Sequence, residues 1–350
     1  MRVAIDARPL SEQATSNRTY WAELVAALGR RPDVELLLFS NAPIPESDIP
    51  ANAQAVIAPS KGRWFSLVVL PALVRKYAAD VVHVQYTVSP LFRTPVVTMV
   101  HDVSFLIEPS WFSRKDRILL TLSVPAACRR AAAVVVPSET CKRELLERIP
   151  VAEAKVSVTP LAVSTGLRHS KPAEEKLREL VGDAPFALLV GGGSPRKNLE
   201  AAVAAVGKAR EAMADLVLLV TGRIESSVPN WAIAPGAVDE AVLSAAYRRA
   251  HALLHPSFHE GFGLTILEAM ALGCPVVASD RGSIPEVAGG AALLYDVQDS
   301  VGMAGGILRL EGGEFRASQI AKGHARAAEF DWDRTVELTV RAYSEAILHA

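Results

Sequence analysis

Glu260 and Glu268 stand eight residues apart in the run His259-Glu260-Gly261-Phe262-Gly263-Leu264-Thr265-Ile266-Leu267-Glu268, just after the apolar stretch from Ala252 to His255. Glycines suit a chain turning tightly against a ligand, because they tolerate positive φ and let backbone approach closely. From about Leu264 the apolar positions (Ile266, Leu267, Met270, Ala271) take helical spacing, and the pattern stops at Gly273 ahead of Pro275. The outward N–H groups of a helix N-terminus then lie between two carboxylates, a natural seat for an anion. Carboxylates accept hydrogen bonds from sugar hydroxyls. Two of them flanking an anion site suit a diphosphate with a polyol at each end, which is the make-up of a nucleotide-sugar.

Ligands of a parallel sheet bind beyond the carboxyl ends of its strands, so the residues after each strand candidate are informative. Val190 is followed by Gly191-Gly192-Gly193-Ser194-Pro195-Arg196-Lys197-Asn198. Val220 is followed by Thr221-Gly222-Arg223, and Ser279 by Asp280-Arg281-Gly282-Ser283. Turns alone supply glycine, but not this repeated pairing of glycine with charge. Arg196 and Lys197, elsewhere an ordinary solvated pair, become diphosphate clamps here: a planar fork beside a mobile point charge. In the first half, His101-Asp102 follows the candidate strand from Val96 to Val100. A lone histidine is more often structural, but at a strand's carboxyl end it becomes a site residue.

Two further patterns carry less. Asp331-Trp332-Asp333 has the Asp-x-Asp form of a divalent-metal site, yet it lies near the chain end, beyond any sheet, where a helix needs an N-cap. It reads as a cap, and with no other acidic cluster the chemistry is expected to be metal-independent. Arg114, Lys115 and Arg117 open an amphipathic stretch with Ile118, Leu119, Leu120 and Leu122. Most such stretches are plain surface helices, but this one also suits an anionic membrane surface or a lipid-phosphate acceptor.

The elements that must hold these residues alternate between short β-branched runs and Ala/Leu-rich helical stretches, the signature of parallel sheets covered by helices. Strands are expected at 2–6, 35–40, 54–58, 81–84, 96–100, 133–136 and 155–159. The second half adds 186–190, 216–220, 252–255, 275–279 and 291–295. Runs such as Phe186-Ala187-Leu188-Leu189-Val190 fit strands buried on both faces. A polar seam near 163–184 separates two similar halves, and Trp332 to His349 reads as a terminal helix.

Length and composition agree. A chain of 350 residues is expected to form two domains, and with half its residues apolar and a net charge of −1 nothing points to nucleic acid. Cys128, Cys141 and Cys274 are odd in number and far apart, so they read as buried small hydrophobes in a reducing compartment. The chain enters a strand at once, and no apolar stretch approaches the roughly 20 residues of a membrane span. A soluble, cytoplasmic protein without a signal peptide is expected. The sequence is silent on oligomeric state.

The stretch from Pro256 to Asp296 resembles the family 4 retaining glycosyltransferases of GT-B fold. These carry Pro-Ser-x-x-Glu-Gly-Phe-Gly-Leu followed by Glu-Ala-Met-Ala-x-Gly-x-Pro-Val-Val. The resemblance implies an α/β protein of two Rossmann-like domains facing each other across a cleft. Residues 1–165 would form an acceptor domain and 166–330 a nucleotide-sugar donor domain, with 331–350 a helix crossing back to the first. It also implies roles: Arg196 and Lys197 neutralise the leaving diphosphate, and Glu260 touches hydroxyls of the donor sugar within a loop that includes Gly261 and Phe262. Gly193 lies beside the diphosphate, backbone N–H groups of Gly263, Leu264 and Thr265 hold the phosphates, and Glu268 takes the ribose. At about 1.5 Å of helical rise per residue, the two glutamates stand on the order of 10 Å apart, a fitting span. His101 would position the donor, oriented by Asp102.

The implied activity is retaining hexosyl transfer to a glycan or lipid-linked acceptor with no cofactor. GDP-mannose is the first donor expected and UDP-sugars the next, with peripheral contact at the inner membrane surface. Two departures bear on it. Residues 11–17, Ser-Glu-Gln-Ala-Thr-Ser-Asn, lack the glycine that relatives carry there, and the segment from Arg223 to Pro235 is short. A non-catalytic nucleotide-sugar binder is the alternative reading. A Rossmann oxidoreductase does not fit, because the triple glycine lacks the Gly-x-Gly-x-x-Gly turn.

Overall fold

The structure, a computed structural model, describes residues 1–12 and 16–349. Gln13, Ala14 and Thr15 of the glycine-poor loop lie outside the described residues. The chain divides into two compact units, residues 1–161 together with 331–350, and residues 162–330.

The first unit is built on seven strands: β1 (Arg2–Asp6), β2 (Glu35–Ser40), β3 (Ala53–Ile57), β4 (Val81–Gln85), β5 (Val96–Met99), β6 (Ala133–Val136) and β7 (Val156–Val158). All pairs are parallel, in the order β3-β2-β1-β4-β5-β6-β7. Because successive side chains alternate faces, Val82 and Val84 join one core with Leu37, Phe39, Val134 and Val136. Helices Leu70–Lys76, Arg114–Arg130 and Glu139–Arg148 close that face with Val74, Val124, Cys128 and Leu145. His83, which alternates with the two valines, turns to the other face. There it meets Tyr20 and Trp21 of helix Ser16–Leu28, and Tyr343 of the terminal helix Trp332–Leu348.

Asp331 caps that terminal helix, its Oδ1 accepting from the Arg334 N–H at 2.7 Å. Asp333 pairs with Arg30 at the surface. The terminal helix runs against helix Ser16–Leu28 and strand β6, so it packs within the first unit.

The second unit carries β8 (Phe186–Val190), β9 (Val217–Thr221), β10 (Ala232–Gly236), β11 (Ala252–His255), β12 (Val276–Ser279) and β13 (Leu293–Tyr295), again all parallel. Their order is β10-β9-β8-β11-β12-β13. Each strand expected from the sequence is present, with ends displaced by a residue or two. One strand was not expected. β10 overlaps the end of the segment from Arg223 to Pro235 that reads as short, and its run Ala232-Ile233-Ala234-Pro235-Gly236 contains a proline. Proline cannot donate to a ladder, so it survives only where no second neighbour needs its N–H. β10 is an edge strand, and its register shifts between Ile233 and Gly236.

All three cysteines are buried and unbridged. Among the described residues no helix is long and apolar enough to cross a membrane.

Candidate functional site

The loop after β8 is shaped by its glycines. Gly191 has φ +76°, and the N–H groups of Gly191 and Gly192 both donate to the Thr221 carbonyl at the end of β9 (3.0 and 3.1 Å). Gly193 runs against the backbone after β9 so closely that a Cβ on it would stand 1.7 Å from the Arg223 carbonyl oxygen. Backbone cannot retreat as a flexible side chain can. Gly193→Ala is therefore expected to destabilise the protein by roughly 1–3 kcal/mol, the usual cost of overpacking. A lower urea midpoint at unchanged m-value would show it.

Pro195–Lys197 then forms one 3-10 turn, and Asn198, at φ +53°, caps helix Leu199–Ala209 by accepting from the Ala201 N–H at 3.3 Å. The Arg196 carbonyl accepts from the Phe258 N–H at 2.9 Å, tying this turn to the loop that follows β11. Two loops are thereby locked side by side, and their charges meet. Lys197 Nζ donates to Glu260 Oε1 at 2.8 Å, and Arg196 Nη1 stands 3.4 Å from Glu260 Oε2. His255, fully buried at the end of β11, places Nε2 3.1 Å from the same Oε1 and 3.2 Å from the Ser257 hydroxyl.

Glu260 is itself buried. Burial favours its neutral form, but Lys197, Arg196 and His255 outweigh that and hold its carboxyl well below the usual range. Burial, reinforced by Lys197, lowers the His255 pKa, so the imidazole is neutral and serves as a hydrogen-bonding floor. The backbone is fixed as firmly. Ser283 donates to the Glu260 carbonyl from both its hydroxyl (2.9 Å) and its N–H (3.1 Å). Gly282 sits where a Cβ would come within 2.6 Å of that carbonyl.

Gly261, Phe262 and Gly263 then turn the chain into helix Leu264–Ala271. Phe262 is buried with its ring against Phe330, which anchors the turn, and Gly263 takes φ +98°. No side chain caps this helix, so its first-turn N–H groups, with Leu264 and Thr265 half-buried, keep the partial positive charge of the N-terminus. Further along, Glu268 Oε2 accepts from the buried Tyr247 hydroxyl at 2.8 Å. Its carboxyl is enclosed although the residue is only half-buried. Burial raises its pKa to about 7, against lowering by Tyr247 and Lys197 and with a smaller push from Glu240.

His101 belongs to the first unit, at the carboxyl end of β5. Its ring lies edge-on to Tyr20, 4.9 Å between centroids, and 6.0 Å from Tyr86. Burial pushes its pKa down to about 4, against a weaker upward pull from Asp102. Asp102 Oδ1 accepts from both the N–H (2.9 Å) and the hydroxyl (2.5 Å) of Ser104, which fixes the carboxylate beside the imidazole.

The second unit thus brings Arg196, Lys197 and Glu260 into one contact and sets Gly193, Gly263 and Glu268 on its strand ends and helix. His255, Tyr247 and Ser283 were not singled out in the sequence. His255 ends an apolar strand, and that position was its one signal. Tyr247 lies 21 residues before Glu268, inside helix Glu240–Arg249, where nothing local reveals the pairing.

Two parallel-sheet α/β units with charged glycine loops at the strand ends are the architecture of a GT-B glycosyltransferase. Residues 18–167 match the family model described as Glycosyltransferase Family 4, and residues 184–311 the one described as Glycosyl transferases group 1. The chain is 30% identical over 267 residues to the O-antigen chain mannosyltransferase B of Escherichia coli, covering 71% of this chain and 69% of that one. It is 27% identical over 290 residues to the O-antigen chain mannosyltransferase RfbU of Salmonella typhimurium, covering 79% and 75%. In fold it is similar to Anabaena HepE, solved in complex with UDP-glucose, with a TM-score of 0.74 at 18% identity over 98% of this chain and 99% of that one. The chain belongs to family 4 of the glycosyltransferases.

Proposed function

We propose that this glycosyltransferase moves a hexosyl group, mannose first among the candidates, from a nucleotide diphosphate sugar to a glycan or lipid-linked acceptor. Transfer retains anomeric configuration and needs no metal. The second unit binds the donor and the first the acceptor. The observation that carries this reading is the buried contact of Glu260 with Lys197 and Arg196, beside an uncapped helix N-terminus. The two cations keep Glu260 ionised, so it accepts from hydroxyls of the donor sugar. The N–H groups of Gly263, Leu264 and Thr265 take the phosphates, and Gly193 lets the diphosphate approach the backbone. Gly261 and Phe262 hold the loop to its turn, and Glu268 accepts from the ribose.

As the bond from the anomeric carbon to the diphosphate breaks, charge grows on the leaving oxygen, where Lys197 and Arg196 neutralise it. His101, neutral near pH 7, hydrogen-bonds the transferred sugar from the acceptor unit, with Asp102 beside it. The names of the two enterobacterial relatives support mannose, and the UDP-glucose bound to HepE supports a nucleotide-sugar.

Labelled GDP-mannose tests the reading, with UDP-glucose as comparison and chelator throughout. Slow donor hydrolysis, or transfer to a mannosylated acceptor, is expected from the parent. Glu260→Gln, which keeps shape but loses the charge, is expected to lower turnover by about 100-fold with donor affinity little changed. A parent that binds donor yet neither hydrolyses nor transfers it would make the chain a binder. Unchanged turnover in Glu260→Gln would remove that residue from the reaction.

A further inference from the structure

We propose that Tyr86 is a positioning residue for His101, held in a strained turn at the end of β4 so that its phenol ring fixes the imidazole in place. This rests on the reading above, in which His101 meets the transferred sugar, and it names what holds that group.

The first observation is backbone strain. Among the described residues three non-glycines have positive φ: Ala78 (+49°), Tyr86 (+58°) and Asn198 (+53°). Ala78 follows the end of helix Leu70–Lys76, where a left-handed residue commonly closes the last turn. Asparagine tolerates that conformation through its short polar side chain. Neither reason serves Tyr86, a bulky residue at a strand end. Its N–H still donates to the Met99 carbonyl (3.3 Å), as a strand residue would. The next N–H, of Thr87, then closes back on the Gln85 carbonyl at 2.6 Å. A three-residue turn closed in this way at positive φ is the rare, strained γ form. Such strain persists only where the surroundings hold it, and it gathers at functional sites.

The second observation is what the turn brings together. The Tyr86 ring lies 6.0 Å from the His101 imidazole at 68°, and the N–H groups of His101 and Asp102 act on its oxygen. Tyr20 meets the same imidazole edge-on at 4.9 Å. The two tyrosines are also tied to each other. Trp21 Nε1, beside Tyr20, donates at 2.9 Å to Gln85 Oε1, beside Tyr86.

The third is how the imidazole is left. His101 Nε2 is buried with no hydrogen-bond partner among the described residues, and Asp102 Oδ1 is taken by Ser104. A ring without a bond at its enclosed nitrogen is oriented by the walls around it. Tyr20 and Tyr86 are those walls. The other titratable groups that face it are Asp102, His83 and Cys141, whose Sγ lies 3.7 Å from the His101 carbonyl oxygen. Burial outweighs the pull of Asp102 and keeps the imidazole neutral. Opening one wall to water should return it toward an ordinary pKa of about 6.5.

Two variants test the proposal. Tyr86→Gly removes the wall and relaxes the turn, since glycine takes positive φ freely, so its thermal midpoint should stay close to the parent's. Tyr86→Phe keeps ring and turn and removes only the oxygen. In donor hydrolysis kcat is expected to fall about tenfold or more in Tyr86→Gly and about threefold in Tyr86→Phe, with donor KM little changed in both. NMR of histidine-labelled protein reads the imidazole directly, with His101→Gln identifying its signal. His101 should stay neutral down to about pH 5 in the parent and titrate near 6.5 in Tyr86→Gly. In Tyr86→Phe it should stay neutral with a shifted signal. A fall in turnover with the His101 signal unmoved, or a moved signal with turnover unchanged, overturns the proposal. So does a parent whose His101 titrates near 6.5. If Tyr86→Gly does not fold, signal and turnover in Tyr86→Phe decide in the same way. The two readings fail separately. A parent that hydrolyses donor, with variants matching it in both measurements, defeats the role of Tyr86 alone. A parent without hydrolysis, with a His101 signal that moves as expected, defeats the transferase reading alone.

Discussion

Replacing Lys197 by alanine is expected to lower turnover by about 10²- to 10³-fold, the range seen when one preorganised electrostatic partner of a reacting centre is removed. Lys197 is almost enclosed and bonds the buried Glu260 at 2.8 Å, so no solvent ion replaces it well. The loss acts twice. The leaving diphosphate loses a cation, and Glu260 is left with Arg196 at 3.4 Å and a neutral His255. Removing one partner of a buried pair leaves an uncompensated charge, which a carboxyl escapes by taking a proton.

The direction with pH follows. In the parent, Glu260 is held well below the ordinary carboxyl range, so its stabilising contribution is present above that range and fades only as pH falls toward its folded value. Burial is already the largest single influence on Glu260, and without Lys197 the cations opposing it weaken, so the pKa climbs. The acid limb of the pH–rate profile should therefore move to higher pH in Lys197→Ala. Lys197→Arg, which keeps charge but changes shape, should restore the limb more than the rate. Arg196→Ala, more distant from Glu260 and more exposed, should cost less. Steady-state kinetics from pH 5 to 9 check both. A Lys197→Ala enzyme within threefold of the parent, with an unmoved acid limb, would separate this lysine from catalysis.

Much of this was legible in the sequence for a physical reason. Strands buried on both faces must be continuously apolar, so runs such as Phe186–Val190 announce themselves. The topology then forces the residues after each strand to one end of the sheet. That is why Arg196, Lys197 and Glu260, distant in sequence, could be expected together. What stayed hidden depends on partners. β10 was missed because its proline contradicts a central strand, and only the edge position makes it acceptable. His255 and Tyr247 were missed because an apolar strand end and a helix interior give no local sign of a carboxylate above them. The direct ion pair of Glu260 with the basic turn was likewise unreadable. Spacing can bring two loops together, but not decide whether their charges face a ligand or each other.

Glu268→Gln is expected to stabilise the ligand-free protein while weakening its hold on the donor. Burial raises the Glu268 pKa to about 7 from an ordinary 4.5, so between those values the folded state holds a proton that the unfolded chain has released. Stability therefore falls as pH rises through that window, and the penalty persists above pH 7. Each pKa unit corresponds to 1.36 kcal/mol, and partial exposure of the residue brings the penalty to the order of 2 kcal/mol. Glutamine keeps the bond from Tyr247 without the charge. Its thermal midpoint should exceed that of the parent at pH 8, and the two should converge toward pH 4. The cost appears in binding. An ionised Glu268 accepts from ribose hydroxyls more strongly than the neutral acid, so donor affinity in the parent should rise about tenfold from pH 6 to pH 8. Intact nucleotide-sugar is the ligand to titrate, because its diphosphate diester has no proton to exchange in this range. Calorimetry should show that rise in the parent and a weak, flat profile in Glu268→Gln. If the variant is less stable than the parent at pH 8, or binds with the parent's pH dependence, Glu268 is a structural acid and the ribose is held elsewhere.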